Sequence, residues 1–192
     1  MSVTLAKGGN VSLSKAAPNL TQVQIGLGWK ARSTTGADFD LDASALLCSG
    51  GRVMGDEYFI FYNNLKSPEG SVEHTGDELV GGTGGGDDET VLVDLSLVPA
   101  QVDKVVFPVS IYDAENRHQT FGQVTDAYIR VVNQADGVEL ARYDLTEDAS
   151  SETAMIFGEL YRYNGEWKFR AVGQGYASGL RGIALDFGVN VA

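Results

Sequence analysis

Residues 127–144 read AYIRVVNQADGVELARYD, and this stretch decides the fold class of the chain. Two runs rich in β-branched and aromatic residues, 127–133 and 139–144, have the composition of β-strands. Between them, Asp-Gly at positions 136–137 is a strong signal for a tight turn. The stretch therefore predicts a β-hairpin.

The rest of the chain repeats this pattern. Short apolar or alternating runs recur about every ten to fifteen residues, with Gly, Asn and Asp between them. Many short strands joined by tight turns favour a sandwich or barrel over a fold that alternates strands and helices. Residues 3–7 and 11–15 match each other across a Gly-Gly-Asn turn and predict an N-terminal hairpin. Helices are expected only at 114–119 and 178–185. The other predicted strands are 22–29, 39–47, 58–62, 90–95, 104–111, 155–163 and 167–172.

Length and composition favour one domain spanning residues 1–192. With 192 residues, 43 % of them hydrophobic, such a domain can bury a sizeable core. The apolar runs are far shorter than a bilayer span, and the N-terminus lacks the basic-then-apolar pattern of a signal peptide. The single cysteine, Cys48, ends an apolar run and is expected in the core. These observations predict a cytoplasmic protein.

The negative charge of the chain is concentrated in one third of it. The net charge is −12, which disfavours sequence-independent nucleic-acid binding because phosphates are repelled. From residue 38 to residue 94 there are 13 acidic residues and 2 basic ones, a balance of −11. A surface charged only for solubility would spread this charge more evenly.

Three segments carry the excess, and their carboxylate and amide oxygens are the ligands that Ca²⁺ prefers. They are DFDLD at 38–42, Asn-Asn at 63–64 with the turn at 67–70, and the stretch 76–89. If 38–42 is extended, its three aspartates share one face, and the first and third lie roughly 13 Å apart. One ion with Ca–O distances of about 2.3–2.6 Å cannot bridge that gap. Either the chain bends or two ions share the segment, and we favour two ions.

Acidic runs also occur as plainly solvated loops, and the residues alone leave that alternative open. The 38–42 segment does not begin an EF-hand, because Ala43 stands where that loop needs glycine. The glycine-rich run 81–86 lacks the Gly-Lys-Ser/Thr ending of a phosphate loop. His74 and His118 fit no zinc pattern, and we expect structural or surface roles for them.

Several stretches of the chain are characteristic of a known family. They are GLGW at 26–29, DFDLDAS at 38–44, FYNN at 61–64, GSVEHTGD at 70–77, GDDE at 86–89, FGQV at 121–124, YDLTE at 143–147 and GEWKF at 165–169. In this combination, over essentially the whole chain, the sequence resembles the TerD family of tellurite-resistance and stress-response proteins.

The resemblance implies an all-β fold, a β-sandwich of two mostly antiparallel sheets with one or two short helices, that binds two Ca²⁺ ions through acidic loops. It further implies a role in bacterial resistance to tellurite, phage, colicins and other stress. Other tellurite-resistance proteins, including a membrane-embedded one, are the implied partners, at the inner face of the cytoplasmic membrane. No enzymatic activity is established for the family. Carried over residue by residue, the calcium ligands are Asp38, Asp40, Asp42, Asn63, Asn64, Asp77, Asp87, Asp88 and Glu89.

The leading hypothesis is therefore a non-enzymatic, calcium-binding regulatory or scaffolding module, expected to be monomeric and to bind no nucleic acid. The alternative is a metal-dependent phosphohydrolase that uses the same carboxylates. The sequence offers that alternative no convincing nucleophile or general base. A third hypothesis, compatible with the first, is calcium-bridged binding to anionic lipid or to an acidic partner, which would give peripheral membrane association.

Overall fold

Two β-sheets packed face to face form the part of the chain that the computed structural model describes, namely residues 3–31, 41–75, 89–111, 114, 118, 120–121, 124–145 and 152–189. The fold class predicted from the sequence is confirmed. The strands are β1 Val3–Leu5, β2 Asn10–Ser12, β3 Gln22–Ala31, β4 Leu41–Ala43, β5 Ala45–Ser49, β6 Arg52–Val53, β7 Phe59–Ile60, β8 Val72–His74, β9 Glu89–Asp94, β10 Lys104–Ile111, β11 Val124–Asn133, β12 Glu139–Asp144, β13 Ala154–Tyr163 and β14 Glu166–Tyr176. The helices are α1 Leu13–Ala16 and α2 Gly179–Asp186, with a 3-10 turn at Asp56–Tyr58.

The strands divide between the sheets in a largely antiparallel arrangement. The first sheet has the order β1-β12-β11-β3-β9-β8. The main path of the second sheet is β2-β14-β13-β10-β5-β6, with β4 paired to β10 and β7 paired to β5. Of these pairs, β1–β12 is parallel and the others are antiparallel. The hairpin predicted from Asp136-Gly137 is β11–β12, and a second hairpin, β13–β14, turns at Asn164-Gly165.

The core between the sheets is built from alternating side chains. In β9, residues 89, 91 and 93 are buried and the residues between them are only half-buried, which is the pattern of a strand with one face on the core. In β10, seven consecutive residues are buried. Val105 and Phe107 belong to the core between the sheets, whereas Val106 belongs to a second apolar cluster on the other face. A strand covered on both faces has a continuous apolar sequence for this reason.

The second cluster lies between the outer face of the second sheet and α2. Ile183 and Ala184 of the helix are buried against Leu46, Cys48 and neighbouring residues of the sheet. The helix predicted at 178–185 is thus confirmed, and so is the core position of Cys48, which is fully buried. The helix therefore forms an extra layer on the outer face of the second sheet.

The predicted N-terminal hairpin is wrong. The strand β1 pairs with β12 in the first sheet, and β2 pairs with β14 in the second sheet. The connecting glycines bond to β14, since Gly8 N–H donates to Ala171 O at 2.8 Å and Ala171 N–H donates to Gly9 O at 2.9 Å. Gly8 has a φ of +83°, which a side chain would disfavour. The two matching runs therefore fasten the N-terminus to both sheets.

The strand predicted over 39–47 is interrupted. Within the described residues it is divided into β4 and β5 at Ser44, whose N–H and hydroxyl both donate to Pro108 O, at 3.0 and 3.3 Å. Pro108 has no N–H and lies beside a shift in the pairing of β10 with β13. The strand predicted over 58–62 is likewise shorter, because residues 56–58 form a 3-10 turn and only β7 is extended.

Two further observations complete the fold. No helix in the described ranges is long and apolar enough to cross a membrane. Of the helix predicted at 114–119, most residues lie outside the described part of the chain, so that prediction stays untested.

Candidate metal site

Strand ends from both sheets meet at one end of the sandwich. Antiparallel pairing places Leu27 of β3 opposite Glu89, and His74 of β8 opposite Val91. The carboxyl end of β8 and Leu27 of β3 therefore lie beside the beginning of β9, and β3 continues past it to Ala31. From the other sheet, the Ala43 N–H of β4 donates a hydrogen bond to the Glu89 carboxylate. We call this end, made of residues 41–43, 74–75 and 89–90, the mouth of the sandwich.

The mouth is where the acidic segments enter and leave the described structure. The first segment continues into β4 at Leu41, and the third is flanked by Thr75 on one side and Glu89 on the other. Five of the predicted ligands lie outside the described residues, and the structure assigns no position to them: Asp38, Asp40, Asp77, Asp87 and Asp88. Of the carboxylates in these two segments, the structure therefore places Asp42 and Glu89, the last acidic residue of each.

Asp42 lies in β4 with its side chain turned away from the main core. Its neighbours Leu41 and Ala43 both belong to the core between the sheets, so the side chain of Asp42 emerges on the opposite face. This confirms the predicted alternation for the part of the 38–42 segment that is described. Asp42 is nevertheless only 8 % exposed, and it lies across from Ser110 of β10.

Glu89 and His74 form a buried polar pair at the mouth. Glu89 is 5 % exposed and His74 is 2 % exposed. The Glu89 Oε2 atom lies 3.3 Å from His74 Nε2, and it also accepts the hydrogen bond from Ala43 N–H. A buried carboxylate needs such donors, because desolvation strongly disfavours an unpaired charge.

Asn63 and Asn64 lie in a turn next to the mouth. The turn is closed by paired backbone bonds between Phe61 and Asn64, at 3.0 and 2.9 Å. Asn64 Nδ2 donates to Glu57 O and Phe59 O, so this amide nitrogen stabilises the turn. Asn63 is exposed. One residue further on, Leu65 O accepts the backbone N–H of His74 at 2.7 Å, which attaches the turn to β8.

The turn at 67–70 is not part of the mouth. It precedes β8, whereas the mouth lies at the other end of that strand. The Glu69 carboxylate accepts a hydrogen bond from Ser71 Oγ within the turn. Burial opposes ionisation, but hydrogen bonds from Ser71, Ser67 and Tyr58 hold the pKa of Glu69 below its usual value. The second segment is thus divided between the asparagine turn next to the mouth and a self-contained turn, containing Glu69, away from it.

The described residues alone do not assemble a metal cage. Within them, no group of three or more His, Cys, Asp or Glu side chains is placed to hold an ion. They include four of the predicted ligands, namely Asp42, Asn63, Asn64 and Glu89. The role of the predicted ligands as a set stays a prediction.

The placement of His74 at the mouth is not predicted from the sequence. The sequence feature that corresponds to it is the alternation of Val72, Glu73 and His74, in which the first and third residues are buried and the second is exposed. A three-residue strand is too short for that pattern to be distinguished from a loop. His74 has a structural role, as expected, but one that joins it to a predicted ligand.

Comparisons with known proteins agree with this architecture. The TerD domain family matches residues 1–187. The chain is 64 % identical to "Tellurium resistance protein TerD" of Serratia marcescens and 53 % identical to "General stress protein 16U" of Bacillus subtilis, with the full length of both chains covered in each case. A solved structure described as a homologue of telluride resistance protein (TerD) from Streptomyces coelicolor A3(2) superposes with a TM-score of 0.69 at 24 % identity, covering 86 % of this chain and 96 % of the other. At that identity the superposition supports the fold alone.

Proposed function

The chain belongs to the TerD family, and we propose that it is a non-enzymatic calcium-binding module that serves in bacterial resistance to tellurite and other chemical stress. Relatives named for tellurium resistance and for general stress cover its whole length, which supports the stress role. Calcium binding is the chemical step that we assign to it.

The convergence of strand ends at the mouth carries this proposal. The carboxyl end of β8, the beginning of β9, Leu27 of β3 and the strand β4 lie together there. The stretches that follow β3 and β8 in the chain, 32–40 and 76–88, hold six of the 13 acidic residues between positions 38 and 94, and the strands that they lead into add Asp42 and Glu89. A fold that attaches acidic stretches at one place favours a common counter-ion over separate solvation of each stretch.

Electrostatics supports a cation at the mouth. Two carboxylates about 4 Å apart repel by roughly 4 kcal/mol at an effective dielectric constant of 20. A few such pairs would rival the stability of a whole domain, about 5–15 kcal/mol. Only Arg52 and Lys66 are basic within residues 38–94, so the segments cannot be neutralised locally by side chains. A divalent ion removes this repulsion.

The donor chemistry favours Ca²⁺ over softer metals. The predicted ligands are all oxygen donors, which suit a hard cation. Of the softer donors, Cys48 lies in the second core, away from the mouth, and His74 lies at the mouth but already contacts Glu89. We propose ligands from Asp38, Asp40, Asp42, Asn63, Asn64, Asp77, Asp87 and Asp88. Glu89, the remaining predicted ligand, already accepts the Ala43 N–H and lies against His74. We therefore leave its carboxylate out of the proposed ligands.

Two ions remain the preferred number. If the 38–42 segment is extended, its first and third aspartates lie roughly 13 Å apart. One ion with Ca–O distances of about 2.3–2.6 Å cannot bind both of them, which favours two ion positions over one. Ion binding would bring the carboxylates of the acidic stretches together and complete a docking surface for other tellurite-resistance proteins, in the cytoplasm or at the inner face of its membrane.

The first prediction concerns Asp40→Asn, compared with Glu73→Gln as the control. Glu73 lies in the same acidic third of the chain, but its side chain is exposed in β8. We expect isothermal titration calorimetry of metal-stripped protein to show that Asp40→Asn weakens Ca²⁺ binding by roughly tenfold or more, since affinity follows the number of charged ligands. Glu73→Gln should leave the affinity close to that of the wild type.

Equal weakening by the two variants would contradict a defined site, because it would mean that Ca²⁺ responds only to overall charge. The non-enzymatic part of the proposal has its own test in a phosphatase and nucleotidase screen with added Mg²⁺ or Ca²⁺. Turnover by the wild type that disappears in Asp40→Asn would overturn that part in favour of a metal-dependent phosphohydrolase.

A further inference from the structure

The Glu89 carboxylate joins the two sheets at the mouth. Glu89 begins β9 of the first sheet, and its Oε2 atom accepts the backbone N–H of Ala43, which lies in β4 of the second sheet. The same oxygen lies 3.3 Å from Nε2 of His74 in β8. One buried carboxylate oxygen therefore contacts groups from two further strands.

The environment makes these contacts strong. Glu89 and His74 are almost completely buried, at 5 % and 2 % exposure. Hydrogen bonds to an ionised acceptor are shorter and stronger than neutral ones, and low local polarity increases their strength. Loss of the carboxylate would leave the Ala43 N–H inside the protein without this acceptor, and a buried donor left unsatisfied is costly.

The three residues that meet at Glu89 Oε2 lie directly beside the acidic segments in the sequence. Ala43 directly follows the 38–42 segment. His74 lies just before the stretch 76–88, and Glu89 lies just after it. The three residues are thus the nearest buried anchors of two acidic segments, on different sheets, and they meet at one oxygen atom.

We propose that Glu89, supported by His74 of its own sheet, forms a latch to Ala43 of the other sheet that holds the ends of these acidic segments in register before any cation binds. Glu89 is then a positioning residue rather than the calcium ligand that the family resemblance implies. The part of this inference that concerns calcium affinity rests on the proposed function, and the latch itself can be tested in metal-free protein.

The first test is a double-mutant cycle in chelator with Glu89→Ala, His74→Ala and the double variant. We expect each single variant to lower the urea midpoint of the metal-free protein. The double variant should lower it by clearly less than the sum of the two single-variant shifts, because each single variant already removes the same contact. Glu73→Ala, on the exposed side of β8, is the control and should change the midpoint little. Additive effects at Glu89 and His74 would overturn the latch.

A spectroscopic reading separates the latch from a general loss of stability. In ¹⁵N imidazole spectra of the metal-free wild type, we expect His74 with a proton on Nε2 that exchanges slowly with water. His118, exposed in a turn, is the internal control and should exchange fast. Glu89→Ala should abolish the slow exchange at His74. A His74 signal that is the same with and without the Glu89 carboxylate would also overturn the proposal.

Calcium titration then separates positioning from ligation. Glu89→Gln keeps an amide oxygen that can accept from Ala43, so it should lie nearer the wild type than Glu89→Ala in both metal-free midpoint and Ca²⁺ affinity. Glu89→Ala should weaken affinity by roughly 10–100-fold, as loss of a supporting contact does at other metal sites. If both variants weaken Ca²⁺ binding equally while the metal-free midpoint is unchanged, Glu89 is a ligand and the proposal fails. If the wild type ignores Ca²⁺ but the cycle shows coupling, the latch stands and the proposed function fails.

Discussion

At the scale of single residues, Cys48 illustrates how burial determines chemistry. It lies in the second core with no exposed surface, opposite Lys104 of β10. Burial raises the pKa of the Cys48 thiol from 9.0 to about 12, against the opposing effect of the Lys104 charge. The thiol is therefore neutral at any physiological pH, which makes it a packing group rather than a nucleophile.

This pKa predicts the direction in which alkali changes stability. The folded state keeps the Cys48 proton between about pH 9 and 12 while the unfolded state loses it, so the stability contributed by Cys48 is present below pH 9 and declines above it. Urea unfolding of the wild type and Cys48→Ala should show the wild-type advantage shrinking above pH 9, by at most about 1.4 kcal/mol per pH unit. The same difference at pH 8 and pH 10 would show that the thiol ionises freely in the folded protein.

At the scale of elements, α2 covers an outer face that would otherwise expose apolar side chains. Its buried residues Ile183 and Ala184 pack on the second sheet, whereas Leu185 is 52 % exposed. The chain after the helix is fastened to β6, since Val53 N–H donates to Phe187 O at 2.8 Å. The helix is therefore held by packing on one side and by a backbone bond at its end.

Ile183 and Leu185 of this helix provide a matched comparison, because they are aliphatic side chains of the same size with different exposure. Ile183→Ala removes a fully buried side chain and should lower the free energy of unfolding by about 2–4 kcal/mol, from lost burial and the cavity left behind. Leu185→Ala should lower it by less than about 0.5 kcal/mol, because the side chain is half exposed. Chemical denaturation measures both. A loss at Ile183 as small as that at Leu185 would mean that α2 is not part of the cooperative fold.

The elements also separate what sequence could predict from what it could not. The predicted bounds of β10 and β12 agree with the structure, because each is a long apolar or alternating run between clear turn signals. The break at Ser44 was not predictable locally, since its partner Pro108 is 64 residues away. The N-terminal hairpin is absent for the same reason. The strand β1 pairs with β12 and β2 pairs with β14, and both partners are distant in the sequence.

The candidate site likewise combines features that the sequence predicts with features that depend on tertiary structure. Oxygen-rich segments are visible in the sequence, and so is their charge excess. The meeting of Ala43, His74 and Glu89 is not visible, because it depends on sheet order and on which residues face inward. Pairing between distant strands is tertiary information that composition and periodicity do not contain.

At the scale of the whole molecule, the charge distribution is the dominant property. The net charge is −12, and residues 38–94 contribute −11 of it, from 13 acidic and 2 basic residues. Strong net charge destabilises a compact state through self-repulsion. In metal-free protein nothing but water, salt and local side chains offsets that repulsion.

Salt should therefore stabilise the metal-free protein. The Debye length falls from about 30 Å at 0.01 M ionic strength to about 8 Å at 0.15 M, so added NaCl screens the repulsion. We expect the melting temperature in chelator to rise over this range. A melting temperature that is flat or falls with NaCl would show that the acids repel one another too weakly to require a counter-ion.

The most direct test of the central claim is equilibrium dialysis of metal-stripped protein against radioactive Ca²⁺. The account predicts saturable uptake of about two ions per chain below millimolar free Ca²⁺, within the range of protein calcium sites. Binding of less than one ion per chain, or uptake that never saturates, would contradict it.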